Sequence, residues 1–280
     1  MRHHHVVQLW VWVAKPASNG FCQNMSCTLP PEILDLIIDH LHDEPATLKT
    51  CCVVSKSWVP RTRKHLFAHV EFHYSKSPFE LWKKAFPDPS NSPAHHTYSL
   101  LVDERPIAFS VDAGAVDWIR TFRNVEYLRF SFASRATLVP FYGMLPVVRS
   151  LHMRHSTVDV FDLICSFPLL ENLWLDVLYP EVDGWNTPST SPKLTGSLYL
   201  RTRGCTDHVI RRLLDLPGGL HFSMVNVKFF DDEAESIGDL VARCSDTLES
   251  LTVLYCPPGV FPSAPVTGLY LTAVRGRRHT

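Results

Sequence analysis

The sequence contains no run of the roughly 18 to 20 apolar residues that a membrane-spanning helix needs, so no transmembrane segment is expected. It also lacks a surplus of charge: 27 lysines and arginines face 28 aspartates and glutamates, for a formal net charge of -1. Without a global field, neither nucleic acid nor a membrane is an expected partner, and binding must be selected locally. The eight cysteines, Cys22, Cys27, Cys51, Cys52, Cys165, Cys205, Cys244 and Cys256, form no C-x-x-C pair. Most lie in apolar runs where a thiol acts as a small hydrophobe. This points to a reducing compartment, cytoplasmic or nuclear, over a disulfide framework.

Catalytic signatures are missing too. There is no G-x-S-x-G elbow, no phosphate-binding G-x-x-x-x-G-K-[ST] loop, no G-x-G-x-x-G turn and no H-E-x-x-H helix. His155, Ser156 and Asp159 supply triad residue types, but neighbours in sequence rarely meet in working geometry, and an ordinary turn is the better reading. His40, His42, Cys51 and Cys52 invite a zinc reading. On a helix, however, adjacent cysteines diverge by about 100° and the two histidines by about 200°, which serves a tetrahedral site poorly. A cysteine hydrolase would need a thiol of depressed pKa beside a basic residue. The expectation is a non-enzymatic protein with no cofactor, metal or catalytic centre.

What is present suits a folded chain: 280 residues, 45% hydrophobic and 20% charged, enough for a core and a smaller second domain. The start, "MRHHHVVQLWVWVAKPA", has a positive end and a short apolar core like a secretory signal. Its apolar run, Val6 to Ala14, is interrupted by Gln8. Residues 1–27 are expected to form a disordered extension, with Met25 an alternative start.

Three short helices are predicted within 28–70. In "LPPEILDLIIDHL", Pro30 or Pro31 suits the first helical turn and Glu32 complements the positive dipole end. Ile33, Leu34, Ile37, Ile38 and Leu41 fill one side, and Leu36 widens the apolar arc to about 200°. Pro45 is placed to start a second helix, and Ser55 or Ser57 to cap a third through Trp58. A unit this small buries little by itself, so its surplus apolar surface needs cover from elsewhere.

Residues 71–100, rich in proline and turn formers around one helical piece from Phe79 to Phe86, read as a partly packed connector. From Val125 an internal repeat emerges. The pattern apolar-x-x-apolar-x-apolar centres on Leu128, Leu151, Leu173, Leu198, Val225 and Leu251, at steps of 22 to 27 residues, with a weaker seventh copy at Leu269. Helical signals lie between copies, at Val160 to Phe167, Thr206 to Leu216 and Asp231 to Cys244. One strand plus one helix per step of this length is the leucine-rich-repeat arrangement. The expected fold is therefore a small all-α three-helix unit followed, over 101–272, by an irregular α/β solenoid with a curved parallel sheet. Residues 273–280 are a tail. A doubly wound α/β sheet remains the alternative. The usual Asn or Cys position, five residues after the centre, holds Ala133, Ser156, Leu178, Arg203 and Phe230, so only Cys256 fits and no asparagine ladder is expected.

The run "LPPEILDLIIDHL…LKTCCVVSKSWVPRTRKHLF" resembles an F-box. Leu29, Pro30, Glu32, Ile33, Leu34, Ile37, Leu41, Leu48, Val54, Ser55 and Trp58 occupy that family's positions, with about two extra residues between Leu41 and Trp58. Segments such as "FDLICSFPLLENLWL", "LLDLPGGLHF" and "RCSDTLESLTV" are similar to F-box proteins abundant in mushroom-forming fungi. The resemblance implies that Leu29, Pro30, Ile33, Leu34, Ile37, Leu41, Leu48, Val54, Ser55 and Trp58 dock to the Skp-family adaptor of a cullin-RING ubiquitin ligase. It further implies that the repeats present a protein substrate.

In a curved sheet, residues flanking the central ones point to the concave side: Tyr127, Arg129, His152, Arg154, Trp174, Asp176, Tyr199, Arg201, Asn226 and Lys228. Aromatics and arginines dominate interface energetics, so Arg129, His152, Arg154, Trp174, Tyr199, Arg201 and Lys228 are the expected substrate-binding set. The substrate would then be acidic or phosphorylated. The competing readings are a solvated face covered by a loop such as "YPEVDGWNTPSTSP", and a repeat scaffold whose three helices merely cap the solenoid.

Overall fold

The computed structural model describes residues 29–72, 78–103, 115–156, 160–176, 190–201, 206–229, 235–255 and 270–274. The N-terminal extension predicted over 1–27 lies outside them.

Three helices open the described chain: α1 (Pro31–His40), α2 (Pro45–Val54) and α3 (Val59–Leu66). Each carries a proline in its first turn, where the missing N–H would have no helical partner anyway. Ser55 Oγ accepts from the Ser57 N–H at 3.3 Å, capping a single 3-10 turn, Lys56–Trp58, that feeds α3. The buried apolar side chains of this unit are Ile38, Leu48 and Cys51. Polar closure is supplied by Asp39 on α1, which accepts from both nitrogens of the Arg61 fork and, at 2.7 Å, from His65 Nε2. Arg61 and His65 both lie on α3.

A single open, curved sheet follows, its strands in chain order: β1 (His69–Phe72), β2 (Ser99–Asp103), β3 (Tyr127–Ser131), β4 (Ser150–Arg154), β5 (Asn172–Asp176), β6 (Ser197–Arg201), β7 (Met224–Phe229), β8 (Ser250–Tyr255) and β9 (Tyr270–Val274). The first eight are parallel. Between them run α4 (Pro78–Ala85), α5 (Ala115–Ile119), α6 (Arg135–Leu138), α7 (Phe161–Cys165), α8 (Thr206–Leu214) and α9 (Glu235–Cys244). Where the repeat step is short, α6 and α7 have 4 and 5 residues. The longer steps accommodate α8 and α9, with 9 and 10.

The six repeat centres read from sequence are cross-strand partners of one another, Leu128 through Leu251. With their neighbours two residues on, among them Phe130, Met153, Leu175, Leu200 and Val227, they turn towards the helices. There all but the half-buried Leu251 are sealed with Phe161, Leu163, Val209, Ile210, Leu213 and Leu240 in one continuous core. Each repeat buries its apolar face by stacking on the next, which is why the pattern had to recur.

Two boundaries differ from expectation. The sheet begins at β1, with Val70 and Leu100 in register with Leu128, so 71–100 is part of the repeat array rather than a connector before it. Its Trp82 is 1% exposed, edge-on to Phe67 and Phe72 and against Phe86 and Phe122. The first strand does carry the full pattern in Phe67, Val70 and Phe72, but Phe67 also closes α3 and so reads as the end of the helical unit; the second has Thr97 at the leading position, and alternation alone in five residues is a weak signal. At the other end, β9 pairs antiparallel to β8, with Leu251 opposite Ala273. The seventh copy is therefore not a further parallel unit, and two residues of the expected tail, Ala273 and Val274, belong to a strand.

At the position of the missing asparagine ladder, Ala133 and Ser156 are buried, and Ser156 Oγ donates to the Ala133 carbonyl at 3.4 Å. The residues before them, Phe132 and His155, have left-handed φ of +58° and +50°. Their N–H groups bond across to the Arg154 and Asp176 carbonyls, and their rings stack at 4.7 Å. Leu178, Arg203, Phe230 and Cys256 lie outside the described residues.

Candidate functional site

Two surfaces merit the term. The first is on the three-helix unit. Leu29, Ile33, Leu36 and Ile37 are 48, 42, 64 and 45% exposed, and Val53 and Val54 of α2 are 74 and 65% exposed. On α1 the spacing i, i+3, i+4 places Ile33, Leu36 and Ile37 on one stripe, and Leu29 lies just ahead of the helix. The opposite side of α1 sends Ile38 into the small core and Asp39 to α3. Pro30 is exposed, and Leu34, Leu41, Ser55 and Trp58 are half-buried. Leu48 differs from expectation: at 1% exposure it is core, because α2 turns it inward beside Cys51. It belongs to the small core under the three helices. Leu36 and Val53, among the most exposed apolar side chains, were not in the expected docking set. Leu36 was signalled by the excess width of its apolar arc, whereas Val53 carried no such signal.

The second surface is the sheet face turned away from the helices. Sheet register brings the expected residues into two adjacent rows. One runs Leu101, Arg129, His152, Trp174, Tyr199, Asn226, Thr252; the other Asp103, Ser131, Arg154, Asp176, Arg201, Lys228, Leu254. Tyr127 begins a third row beside Ser99 and Ser150.

In the first row the His152 and Trp174 rings lie 6.0 Å apart and the Trp174 and Tyr199 rings 6.1 Å, each pair tilted by about 40°. In the second, Asp176 sits between two arginines, 3.7 Å from Arg154 Nε and 3.6 Å from Arg201 Nε. Both distances are too long for hydrogen bonds. Asp176 Oδ1 and the Nε atoms of Arg129, Arg154 and Arg201 are buried without hydrogen-bond partners. Burial, with the Arg129 and Arg154 charges, pushes the His152 imidazole down to about 4, so it is neutral near pH 7. The arrangement offers an aromatic shelf with guanidinium groups beside it, and among the described residues the only acid on this face between β3 and β7 is Asp176.

Other candidates fare differently. Ser156 is sealed from solvent and His155 is stacked on Phe132, so neither is set for a triad; Asp159 lies outside the described residues. Burial pushes the Cys52 and Cys244 thiols up, opposite to the activation a nucleophile needs. Among the described residues no three His, Cys, Asp or Glu side chains converge to hold a metal, and no helix is long and apolar enough to cross a membrane. Most of the candidate covering loop, residues 177–189, is outside the described residues. No family model, curated protein or solved structure matches the chain.

Proposed function

We propose that this protein is the non-enzymatic substrate receptor of a Skp-adaptor/cullin/F-box ubiquitin ligase, with the helices α1 to α3 docking to the adaptor and the repeat sheet holding a substrate protein. The observation that carries the reading is the apolar stripe Ile33, Leu36, Ile37, with Leu29 just ahead of it, left in water by a unit whose own buried apolar side chains are Ile38, Leu48 and Cys51. Exposed apolar side chains clustered on one helix mark a partner's seat. The motif-like order of Leu29, Pro30, Ile33, Leu34 and Trp58 names that partner as the adaptor.

The test is co-purification of the full chain with a Skp-family adaptor. Replacing Ile33 and Leu36 by Asp should abolish the complex without lowering the melting temperature, since both side chains are already in water. A full chain that never captures the adaptor would overturn the reading.

A second reading, the helical unit as a solenoid cap, draws on the edge-on packing of Phe67 against Trp82 and Phe86. Under it the double Asp variant loses nothing, whereas deletion of Leu29 to Leu66 makes the remainder insoluble.

A further inference from the structure

The sheet face carries a more specific assignment. We propose that the shelf formed by His152, Trp174 and Tyr199, with Arg129, Arg154 and Arg201 beside it, binds an extended, Asp/Glu-rich segment of a partner protein running across the strands. This rests on the reading of the sheet as the recognition half of a receptor.

Three observations favour that occupant. Ring centres at 6.0 and 6.1 Å approach the roughly 6.6 to 6.8 Å repeat of alternate side chains in an extended chain. Such a chain laid along the row can drop successive same-side residues between adjacent rings. The charge beside it is complementary: among the described residues, Arg129, Arg154 and Arg201 face Asp176 as the one acid on this face of β3 to β7. The Arg154 and Arg201 side chains are 43 and 31% exposed, and neither makes a hydrogen bond to Asp176, so their guanidinium groups are open to an arriving carboxylate.

Asp176, held 3.6 to 3.7 Å from both guanidinium groups, offsets part of their charge. It likewise interrupts the basic row where a nucleic-acid backbone would need continuous positive charge, and a chain of net charge -1 supplies no compensating field.

The experiment uses the full chain and fluorescence anisotropy with a short labelled peptide of alternating Glu and Ser. Gln-for-Glu and phosphoserine-for-Glu versions and a labelled oligouridylate serve as comparators. The Glu peptide should bind, and the Gln peptide about tenfold or more weaker. Trp174→Ala and the double variant Arg154→Gln/Arg201→Gln should each weaken the Glu peptide by about tenfold. Arg129→Gln, which breaks no ion pair among the described residues and so preserves the fold if the double variant does not, should weaken it several-fold. Arg211→Gln/Arg243→Gln, removing two charges from the exposed helix side, should leave it unchanged.

Equal binding of the Glu and Gln peptides, full affinity in Arg129→Gln together with Trp174→Ala, or tighter binding of the phosphoserine peptide or the oligouridylate would each overturn the assignment. None of these variants touches Leu29 to Trp58, so failure here is distinguishable from failure to bind the adaptor.

Discussion

Arg61 on α3 grips Asp39 on α1 with both ends of its guanidinium fork, and His65 one turn later donates to the same carboxylate. This joint holds the Asp39 carboxyl well below its usual range, chiefly through the Arg61 hydrogen bonds. Asp39→Asn should therefore loosen α1 from α3 at a cost of about 1 kcal/mol, the modest value expected for a partly exposed ion pair. Because the folded-state pKa is depressed, the contribution is full above about pH 4 and is lost as pH falls below it. In chemical denaturation the gap between wild type and Asp39→Asn should be smaller at pH 3 than at pH 7.

The contrast between Leu48 and Leu36 separates core from exposed surface. Leu48→Ala removes a side chain that is 1% exposed and should cost about 2 to 5 kcal/mol. Leu36→Ala changes one that is 64% exposed and should fall within about 0.5 kcal/mol of wild type. Thermal melts of the two variants provide the check, and similar losses in both would place Leu36 in an unrecognised core.

His152 makes the sheet sensitive to mild acid. Its imidazole sits at about 4 when folded and near 6.5 when unfolded, so between these values the unfolded chain binds a proton that the folded chain refuses. Stability from this group is complete above about pH 6.5 and declines as pH drops towards 4, by at most about 3 kcal/mol. His152→Gln should remove that share. Urea denaturation at pH 7 and pH 5 should show a smaller difference for the variant than for wild type; equal differences would refute the assignment.

Gly196 is required by a neighbour rather than by its own backbone angles. A Cβ there would lie 2.3 Å from Asn172 Oδ1, which accepts from the Ser197 N–H at 2.9 Å and so ties β5 to β6. Gly196→Ala must displace that amide and crowd the Glu171 carbonyl at 3.1 Å, costing about 1 to 3 kcal/mol by overpacking. A melt that matches wild type would mean that Asn172 can swing aside.

The repeat centres were legible because every copy needs the same apolar pair to stack, so Leu128, Leu151 and Leu173 announce one another along the chain. The sheet face was legible as their complement, since side chains two apart in a strand must share a side. Val70 and Leu100 were not. Each sits in a strand of four or five residues spaced by 28 to 30 from its neighbour, and a helix signal, α4, separated them. Leu48 was misassigned because the apolar pattern marks a residue as hydrophobic without saying which of two apolar neighbours will cover it.

Periodicity in the sequence alone thus determined a helical unit with surplus apolar side chains, a strand-helix repeat and the residues of its polar face. It could do so because those features depend on spacing along one chain. Only the tertiary structure decided that β9 turns back antiparallel, that Leu48 is inside while Leu36 and Val53 stay in water, and that Asp176 lands between Arg154 and Arg201. Such outcomes are set by which distant segments meet and in what register, and the free energy of those contacts belongs to neither segment by itself.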